Sequence, residues 1–355
     1  MKIIRLTTLL DFGGQERQYI SFVEDGMSDI ENEYIFAAIG YGGYAENYIR
    51  ERGFEVKIFN SKPNILNIIN IWILFKWFQK IKPDIVHTAA AEANFHGVIA
   101  AKLARIKVVI AEEIGIPNHS NKAKFIFKYI YKLSTKVICV SESVKDNLIR
   151  IKEIENKKGV VIYNPVSASK LVERKLKNEF TIVTVGRLEK VKNQQLLVKT
   201  ISKINDKSVK LIIVGDGKER LMLEQLILEL KLENRVTITG FVPNPEYYLS
   251  QCHLFVLPSL SEGFGIAVVE AMQQQVPCLC SNVGGIPEFI NENETGWLFN
   301  PKSESELLEK LNKIIATDYD IINKIGINGQ NYVDKRFTTK KYKHNLENLY
   351  KKYYD

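Results

Sequence analysis

Leu254-Phe-Val-Leu-Pro-Ser-Leu-Ser-Glu-Gly-Phe-Gly-Ile-Ala-Val-Val-Glu-Ala-Met272 contains a complete strand, turn and helix. Leu254 to Leu257 is a short unbroken apolar run, as expected of a strand buried on both faces, and Pro258 ends it. Glycines at 263 and 265 let backbone amides approach a ligand, and a helix begins near Gly265, with its amino end above the strand. Such a βα unit implies a parallel sheet.

The same alternation runs through nearly the whole chain, which makes the fold class α/β. Strand candidates in the first half are Ile3–Leu6, Glu33–Ala38, Glu55–Phe59, Ile85–His87, Val108–Ala111 and Val137–Val140. In the second half they are Thr181–Val185, Lys210–Val214, Val236–Thr239, Leu254–Leu257 and Pro277–Ser281. Each set suffices for a doubly wound sheet with its own core, and 355 residues is about twice the usual domain size. Ile162-Tyr-Asn-Pro-Val-Ser167 ends a strand in a turn, and a polar, lysine-rich stretch follows. The expected division is therefore 1–165, 166–340 and a Tyr/Lys-rich helix, 341–355, packed outside the second sheet.

Of the formal net charge of +8, +5 falls in residues 1–165 and +3 in the remainder, too little in either half to argue for nucleic acid. The amino-terminal apolar stretch runs straight into Gly13-Gly14 and reads as a strand, not a signal peptide. Asn67, Asn70 and Lys76 interrupt the most apolar window, Ile65–Phe78, which is shorter than the roughly 18 to 20 residues of a membrane span. Cys139, Cys252, Cys278 and Cys280 lie mostly in strand-like runs without zinc-ligand spacing, so buried free thiols, no metal and a cytoplasmic location are expected.

Three loops carry chemistry. Phe12-Gly13-Gly14-Gln-Glu-Arg17 follows a strand and opens a helix, a place for a diphosphate or sugar, although a Gly-Gly turn is often only structural. The dinucleotide glycine fingerprint is incomplete both here and at Val214-Gly-Asp-Gly217. Gly186-Arg187-Leu-Glu-Lys-Val-Lys192 puts two cations, five positions apart, where a doubly wound domain holds its ligand; solvated loop charge is the competing reading. Glu262 precedes the helix begun by Gly265 and Glu270 lies on it, roughly 12 Å apart at about 1.5 Å per residue, the scale of a sugar at one end and a ribose at the other.

With these residues the chain resembles family 4 of the retaining glycosyltransferases, in which Glu262 and Glu270 match an E-x7-E motif. The similarity runs through the Gly13-Gly14 loop, Asp84-Ile-Val-His87, Val140-Ser-Glu142, Val161-Ile-Tyr-Asn-Pro165, Gly186-Arg-Leu188 with Lys192, and Gly284-Gly-Ile-Pro-Glu288. It implies the GT-B fold, two facing Rossmann-like domains with parallel sheets and an inter-domain cleft. It also implies that Arg187 and Lys192 hold the donor diphosphate, that Glu262 meets the donor-sugar hydroxyls and that Glu270 meets the ribose. Gly263, Phe264, Gly265 and Ile266 would supply backbone contacts, Gly13 and Gly14 would close over the diphosphate, and Phe241 and Val242 would border the base. No cofactor or metal is implied; the donor would be a UDP-sugar, with a GDP-sugar as the second choice.

Many relatives carry a histidine at the end of the fifth strand, where this chain reads Ala111-Glu-Glu113-Ile-Gly115. Glu113 is a candidate for contact with sugar or acceptor, His119 is the nearest imidazole, and His87 is either an acceptor contact or structural. His96 and His344 read as structural. Lys124, Lys128 and Lys132 form one basic stripe at i, i+4 and i+8, either an anionic-membrane contact at the inner face of the cytoplasmic membrane or an ordinary solvated helix face. Ile71-Trp-Ile-Leu-Phe-Lys-Trp-Phe78 is expected mainly to pack in the core. The resemblance points to bacterial surface-glycan synthesis on a lipid-linked or oligosaccharide acceptor. A sugar-nucleotide epimerase of the same architecture and a non-catalytic nucleotide-sugar-binding subunit remain the alternatives.

Overall fold

The computed structural model describes residues 1–24, 26, 31–167, 171–176 and 178–355. The chain divides into two compact units, Met1–Ser167 with Phe337–Asp355, and Ala168–Arg336. No helix among the described residues is long and apolar enough to cross a membrane.

The first unit is built on β1 (Lys2–Thr7), β2 (Glu33–Ala38), β3 (Glu55–Ile58), β4 (Ile85–Ala89), β5 (Val108–Glu113), β6 (Lys136–Cys139) and β7 (Gly159–Val161). Between them run α1 (Gly14–Val23), α2 (Tyr44–Glu51), α3 (Ile69–Ile81), α4 (Ala91–Leu103), α5 (Asn121–Leu133) and α6 (Glu142–Arg150). The sheet is parallel, in the order β3-β2-β1-β4-β5-β6-β7. Strand order reverses at β1 and β4, so the open crevice lies at their carboxyl ends, where β1 leads to Gly13-Gly14.

The second unit holds β8 (Thr181–Val185), α7 (Gln194–Lys203), β9 (Lys210–Val214), α8 (Arg220–Glu229), β10 (Val236–Gly240), α9 (Glu246–Leu249) and β11 (Leu254–Leu257). It continues with α10 (Ile266–Gln273), β12 (Cys278–Ser281), β13 (Trp297–Phe299), α11 (Glu304–Ile315) and α12 (Tyr319–Val333). The sheet order is β10-β9-β8-β11-β12-β13, again parallel, with its switch point at β8 and β11. Gly215, at the end of β9, has φ +150° and approaches Gly186 so closely that a Cβ would lie 2.0 Å from the Gly186 carbonyl oxygen. No side chain fits there, and this close approach fixes how the β8 and β9 loops leave the sheet.

The last helix, α13 (Thr339–Tyr354), does not pack on the second sheet as its position in the sequence suggested. It belongs to the first unit, where Tyr342, Leu346, Leu349 and Tyr350 join the core formed by Ile3, Tyr19, Phe22, Tyr34 and Phe36. The reason is chemical as well as steric. Arg5, at the middle of β1, is fully buried and donates to the Tyr342 hydroxyl (2.9 Å) and to Gln18 Oε1 (3.1 Å), with Glu112 Oε2 at 3.5 Å. Its guanidinium lies over the Tyr19 ring, 4.5 Å from the centroid. The Tyr350 hydroxyl stands 2.6 Å from His87 Nδ1, and His87 Nε2 stands 3.1 Å from Glu112 Oε2. A buried charge and a buried imidazole thus obtain their partners from α13. Truncation after Arg336 is expected to abolish cooperative thermal unfolding of the first unit by circular dichroism and to leave the protein aggregated; a soluble, cooperatively melting truncation would show that the helix is an accessory.

Candidate functional site

The loops after β8 and β11 converge. β8 and β11 are parallel neighbours, pairing Ile182 with Leu254 and Val183 with Phe255, so both release their loops on the same edge of the sheet. Asn193 adopts the left-handed conformation (φ 54°) and its Nδ2 donates to the carbonyls of Pro258 (3.2 Å) and Pro301 (3.3 Å). The Leu260 amide donates to the Val191 carbonyl at 2.8 Å. These bonds bring Lys192 Nζ to 2.5 Å from Glu262 Oε1, and the Ser259 hydroxyl donates to the same oxygen at 2.7 Å. The pair is neither sealed nor free in solvent: the lysine side chain is 25% exposed and the glutamate 10%. Arg187 is more exposed, with Nη1 3.2 Å from Glu189 Oε1. The result is a cationic rim around a preoriented carboxylate at the switch point, suited to an anion bearing hydroxyl groups.

The glutamate loop is braced from behind. Gly284 has φ +56°, and a Cβ there would lie 1.6 Å from the Glu262 carbonyl oxygen, so the Gly284-Gly285 turn fits directly under Glu262. Gly265 caps α10 in the left-handed region (φ 103°). The Phe264 side chain is buried against Phe289, ring centroids 5.4 Å apart. Phe264 is therefore an anchor by its side chain, while Gly263, Gly265 and Ile266 lie at the helix entrance. On α10 the buried positions are Val268, Val269, Ala271, Met272 and Gln273. Glu270 lies with Ile266 and Ala267 on the partly exposed side of this largely buried helix. Gly284→Ala is expected to displace the Glu262 loop and weaken ligand binding at this site at least about tenfold while lowering Tm by only a few degrees, read by calorimetric titration beside a melting curve.

At the opposite side of β8, the β9 and β10 loops are tied by the Gly215 amide, which donates to the Gly240 carbonyl at 3.0 Å. Gly240 has φ +81°, and Phe241 beyond it is exposed. Arg220 bridges Asp216 and Glu224 at 2.9 and 2.8 Å, holding the start of α8 against this loop.

In the first unit, Gly13 caps α1, and a Cβ on Gly14 would meet no protein atom within 4 Å. β5 points Glu112 and Glu113 to opposite faces, as strand geometry requires. Glu112 goes to the Arg5 network; Glu113 is buried and accepts from the Tyr131 hydroxyl at 2.7 Å. Burial pushes the Glu113 carboxyl above the usual carboxylate range, although the Tyr131 hydroxyl opposes the shift. His119 Nδ1 lies 2.7 Å from Glu153 Oε1, and its ring stacks on Phe127 at 4.5 Å. The Glu153 carboxylate raises His119 above the ordinary imidazole value. His87 is fully buried with its proton affinity lowered by burial; in the neutral tautomer protonated at Nε2, Nδ1 accepts from the Tyr350 hydroxyl and Nε2 faces the Glu112 carboxylate at 3.1 Å. His87 is thus a structural residue rather than an acceptor contact. His96 and His344 bond to the Glu92 carbonyl and to Asn348, respectively, as local structural groups.

His119 has a raised folded-state pKa, so its pairing with Glu153 adds stability that is fully present below the unfolded value of about 6.5 and is lost as pH rises through the folded one. The Tm gap between the natural protein and His119→Gln should therefore be widest in acid and narrow towards alkaline pH; a pH-independent gap would rule out that linkage.

Three supporting residues were not singled out from sequence. Ser259 and Asn193 position the glutamate loop, and Glu153 positions His119. The first two flank the motifs, so proximity was an available signal. Glu153 lies 34 residues from its partner and gave none.

The profile for glycosyl transferases group 1 matches residues 166–332, and that for glycosyltransferase family 4 matches 13–170. The UDP-Gal:alpha-D-GlcNAc-diphosphoundecaprenol alpha-1,3-galactosyltransferase of Escherichia coli is 28% identical over 78% of this chain and 77% of its own. The Campylobacter jejuni N-acetylgalactosamine-N,N'-diacetylbacillosaminyl-diphospho-undecaprenol 4-alpha-N-acetylgalactosaminyltransferase is also 28% identical, but the match spans 55% of this chain and about half (54%) of that relative. Among solved structures, Anabaena HepE in complex with UDP and glucose superposes with a TM-score of 0.85 at 23% identity, covering 98% of this chain and 99% of that one, and shows the shared fold. From the matched profiles, which together run from residue 13 to residue 332, the chain belongs to the glycosyltransferases of group 1 and family 4.

Proposed function

We propose that this glycosyltransferase moves a sugar from a UDP-sugar to a lipid-linked saccharide with retention of the anomeric configuration, in the synthesis of a bacterial surface polysaccharide. The observation that carries the reading is the contact of Lys192 with Glu262 at the carboxyl ends of β8 and β11. A cation there faces the leaving diphosphate while the carboxylate accepts from sugar hydroxyls. In this reading Arg187 shares the diphosphate, Glu270 accepts from the ribose, and amides of Gly263 to Ile266 bind sugar and phosphate oxygens. Phe241 and Val242 border the base, and the amides at Gly13 and Gly14 serve an anionic group. The open space at the Gly14 Cβ position supports that last role, since nothing in the protein itself demands a glycine there.

Charge accounts for the rate. Breaking the C1–O bond leaves negative charge on the nucleoside diphosphate and positive charge on the ring, so fixed cations and amide dipoles at the phosphates favour the transition state. The acceptor hydroxyl forms the new bond to C1 on the face the leaving group departs from, and its proton passes to the leaving phosphate oxygen. No metal enters this scheme. Glu113, buried and hydrogen-bonded to Tyr131, is assigned to the acceptor or sugar side, with its carboxyl raised above the usual range by burial. The E. coli and Campylobacter relatives, named for diphosphoundecaprenol-linked acceptors, support an acceptor of that class. On α5, Lys128 and Lys132 are exposed and Lys124 is half-buried, which supports peripheral contact with anionic lipid at the inner face of the cytoplasmic membrane.

A panel of UDP- and GDP-sugars, followed by product analysis with and without lipid-linked acceptor, tests this. The expected result is acceptor-dependent release of UDP from one UDP-sugar. Release from GDP-sugars alone would reassign the base, and conversion of the donor into another sugar nucleotide without acceptor would make the protein an epimerase.

A further inference from the structure

Helix α3 packs against α4, and α4 against α5, so the three lie side by side in the first unit. Only one edge of α3 enters the core, at Leu74 and Phe78, which leaves its aromatic run divided rather than buried as the sequence suggested. Ile68, Ile69 and Trp72 face outward at 68%, 64% and 59% exposure. On α5 the residues at i, i+4 and i+8, Phe125, Tyr129 and Leu133, are likewise exposed. Exposing this many large apolar side chains on neighbouring helices is unusual for a surface left in water.

The charge around them has one sign. Helices α3 and α5 contain no acidic residue, and α4 has only Glu92, which accepts from the Thr8 hydroxyl. Lys76 and Lys80 lie on α3, and Lys122, Lys124, Lys128 and Lys132 on α5. Lys76 Nζ sits 4.7 Å from the centroid of the Trp72 ring, so the cation and the exposed indole are presented together. The second unit provides a contrast. Leu221 and Leu228 on α8 are also exposed, but Glu224 and Glu229 stand among them, an arrangement that an anionic surface would repel.

We propose that the α3 and α5 faces together form a membrane-insertion surface: Ile68, Ile69, Trp72, Phe125 and Tyr129 enter the headgroup and acyl boundary of an anionic bilayer while the surrounding lysines stay with the phosphates. A second copy of the chain is the weaker occupant, because a self-complementary pairing would set lysines against lysines. This proposal rests on the lysine-stripe reading above and adds to it an apolar, salt-resistant component and the helix that supplies it.

The test is flotation of the full chain with phosphatidylcholine vesicles, with or without phosphatidylglycerol, at low salt and at about 1 M salt, where screening shortens the Debye length to about 3 Å. Binding is expected only with phosphatidylglycerol, and part of it should survive high salt. Ile69→Ser with Trp72→Ser should weaken binding about tenfold or more and remove the salt-resistant part. Lipids brominated on the acyl chains should quench the natural protein's tryptophan emission but not that of Trp72→Phe, which still binds; Trp77 and Trp297 are less exposed reporters. Binding that vanishes at high salt with no quenching would overturn insertion and leave the lysine stripe standing. No binding to either vesicle would overturn both. A dimer in sedimentation that Trp72→Ser dissolves would overturn the proposal in favour of a subunit interface.

Discussion

Lys192→Ala is expected to reduce kcat/KM for sugar transfer by about 10² to 10³, the range found when one fixed group that stabilises developing negative charge is removed. The size of the effect follows from where the ammonium sits. Held by the loop that Asn193 and Leu260 anchor, it lies beside Glu262 without having to be ordered when the donor arrives. Loss should appear chiefly in kcat if the cation serves the leaving group and chiefly in KM if it only binds ground-state phosphate. Lys192→Arg should retain part of the activity. Stability should hardly change, because a partly exposed ion pair contributes no more than about 1 kcal/mol. A variant that loses activity together with several degrees of Tm would indicate that the lysine braces the fold instead.

The second large effect falls in the core of the first unit. Arg5→Ala is expected to destabilise that unit by about 3 to 5 kcal/mol, because it removes the cation beside the fully buried Glu112 carboxylate and the guanidinium packed on the Tyr19 ring. The double replacement Arg5→Met with Glu112→Leu should recover much of the loss, since it removes both charges. Burial alone would push the Glu112 carboxyl up; hydrogen bonds from His87 and Gln18 and the charge of Arg5 pull it below the usual carboxylate range. A depressed folded pKa gives stability that is present above the unfolded value of about 4.3 and is lost as pH falls through the folded one. Acid denaturation of the natural protein should accordingly begin in the first unit, and the double variant should be less sensitive to acid. Amide exchange resolved along the chain reads both effects.

How much of this was legible in the sequence depends on the range of each interaction. Strands Glu33–Ala38, Thr181–Val185, Lys210–Val214 and Leu254–Leu257 matched their apolar runs residue for residue, because a parallel strand buried on both faces is read from four to six consecutive positions. β13 was not placed as a strand, and β7 was read only as a strand ending at the Ile162 turn, without bounds: at three residues each they are too short to show any period. The Lys192 and Glu262 loops were visible because each follows a strand and carries its own glycines. The bracing of Glu262 by Gly284 was not, since the contact crosses 22 positions and depends on φ. The final helix shows the same limit. Its Tyr342, Leu346, Leu349 and Tyr350 stripe predicts an apolar face, but only the buried Arg5 and His87, more than 260 residues earlier, decide which sheet receives it. Trp72 was misjudged for the opposite reason: local hydrophobicity predicts burial, whereas α3 offers the core only one edge.

In the proposed function, Arg187 and Lys192 grip the diphosphate of a nucleotide donor at the β8 and β11 switch point. The decisive measurement is calorimetric titration of UDP and, separately, of uridine into the natural protein, Lys192→Ala and Arg187→Ala. UDP should bind at least about 10²-fold more tightly than uridine, and each replacement should remove about ten- to a hundredfold of that advantage while leaving uridine affinity unchanged. A ratio that neither replacement alters would contradict that grip on the diphosphate.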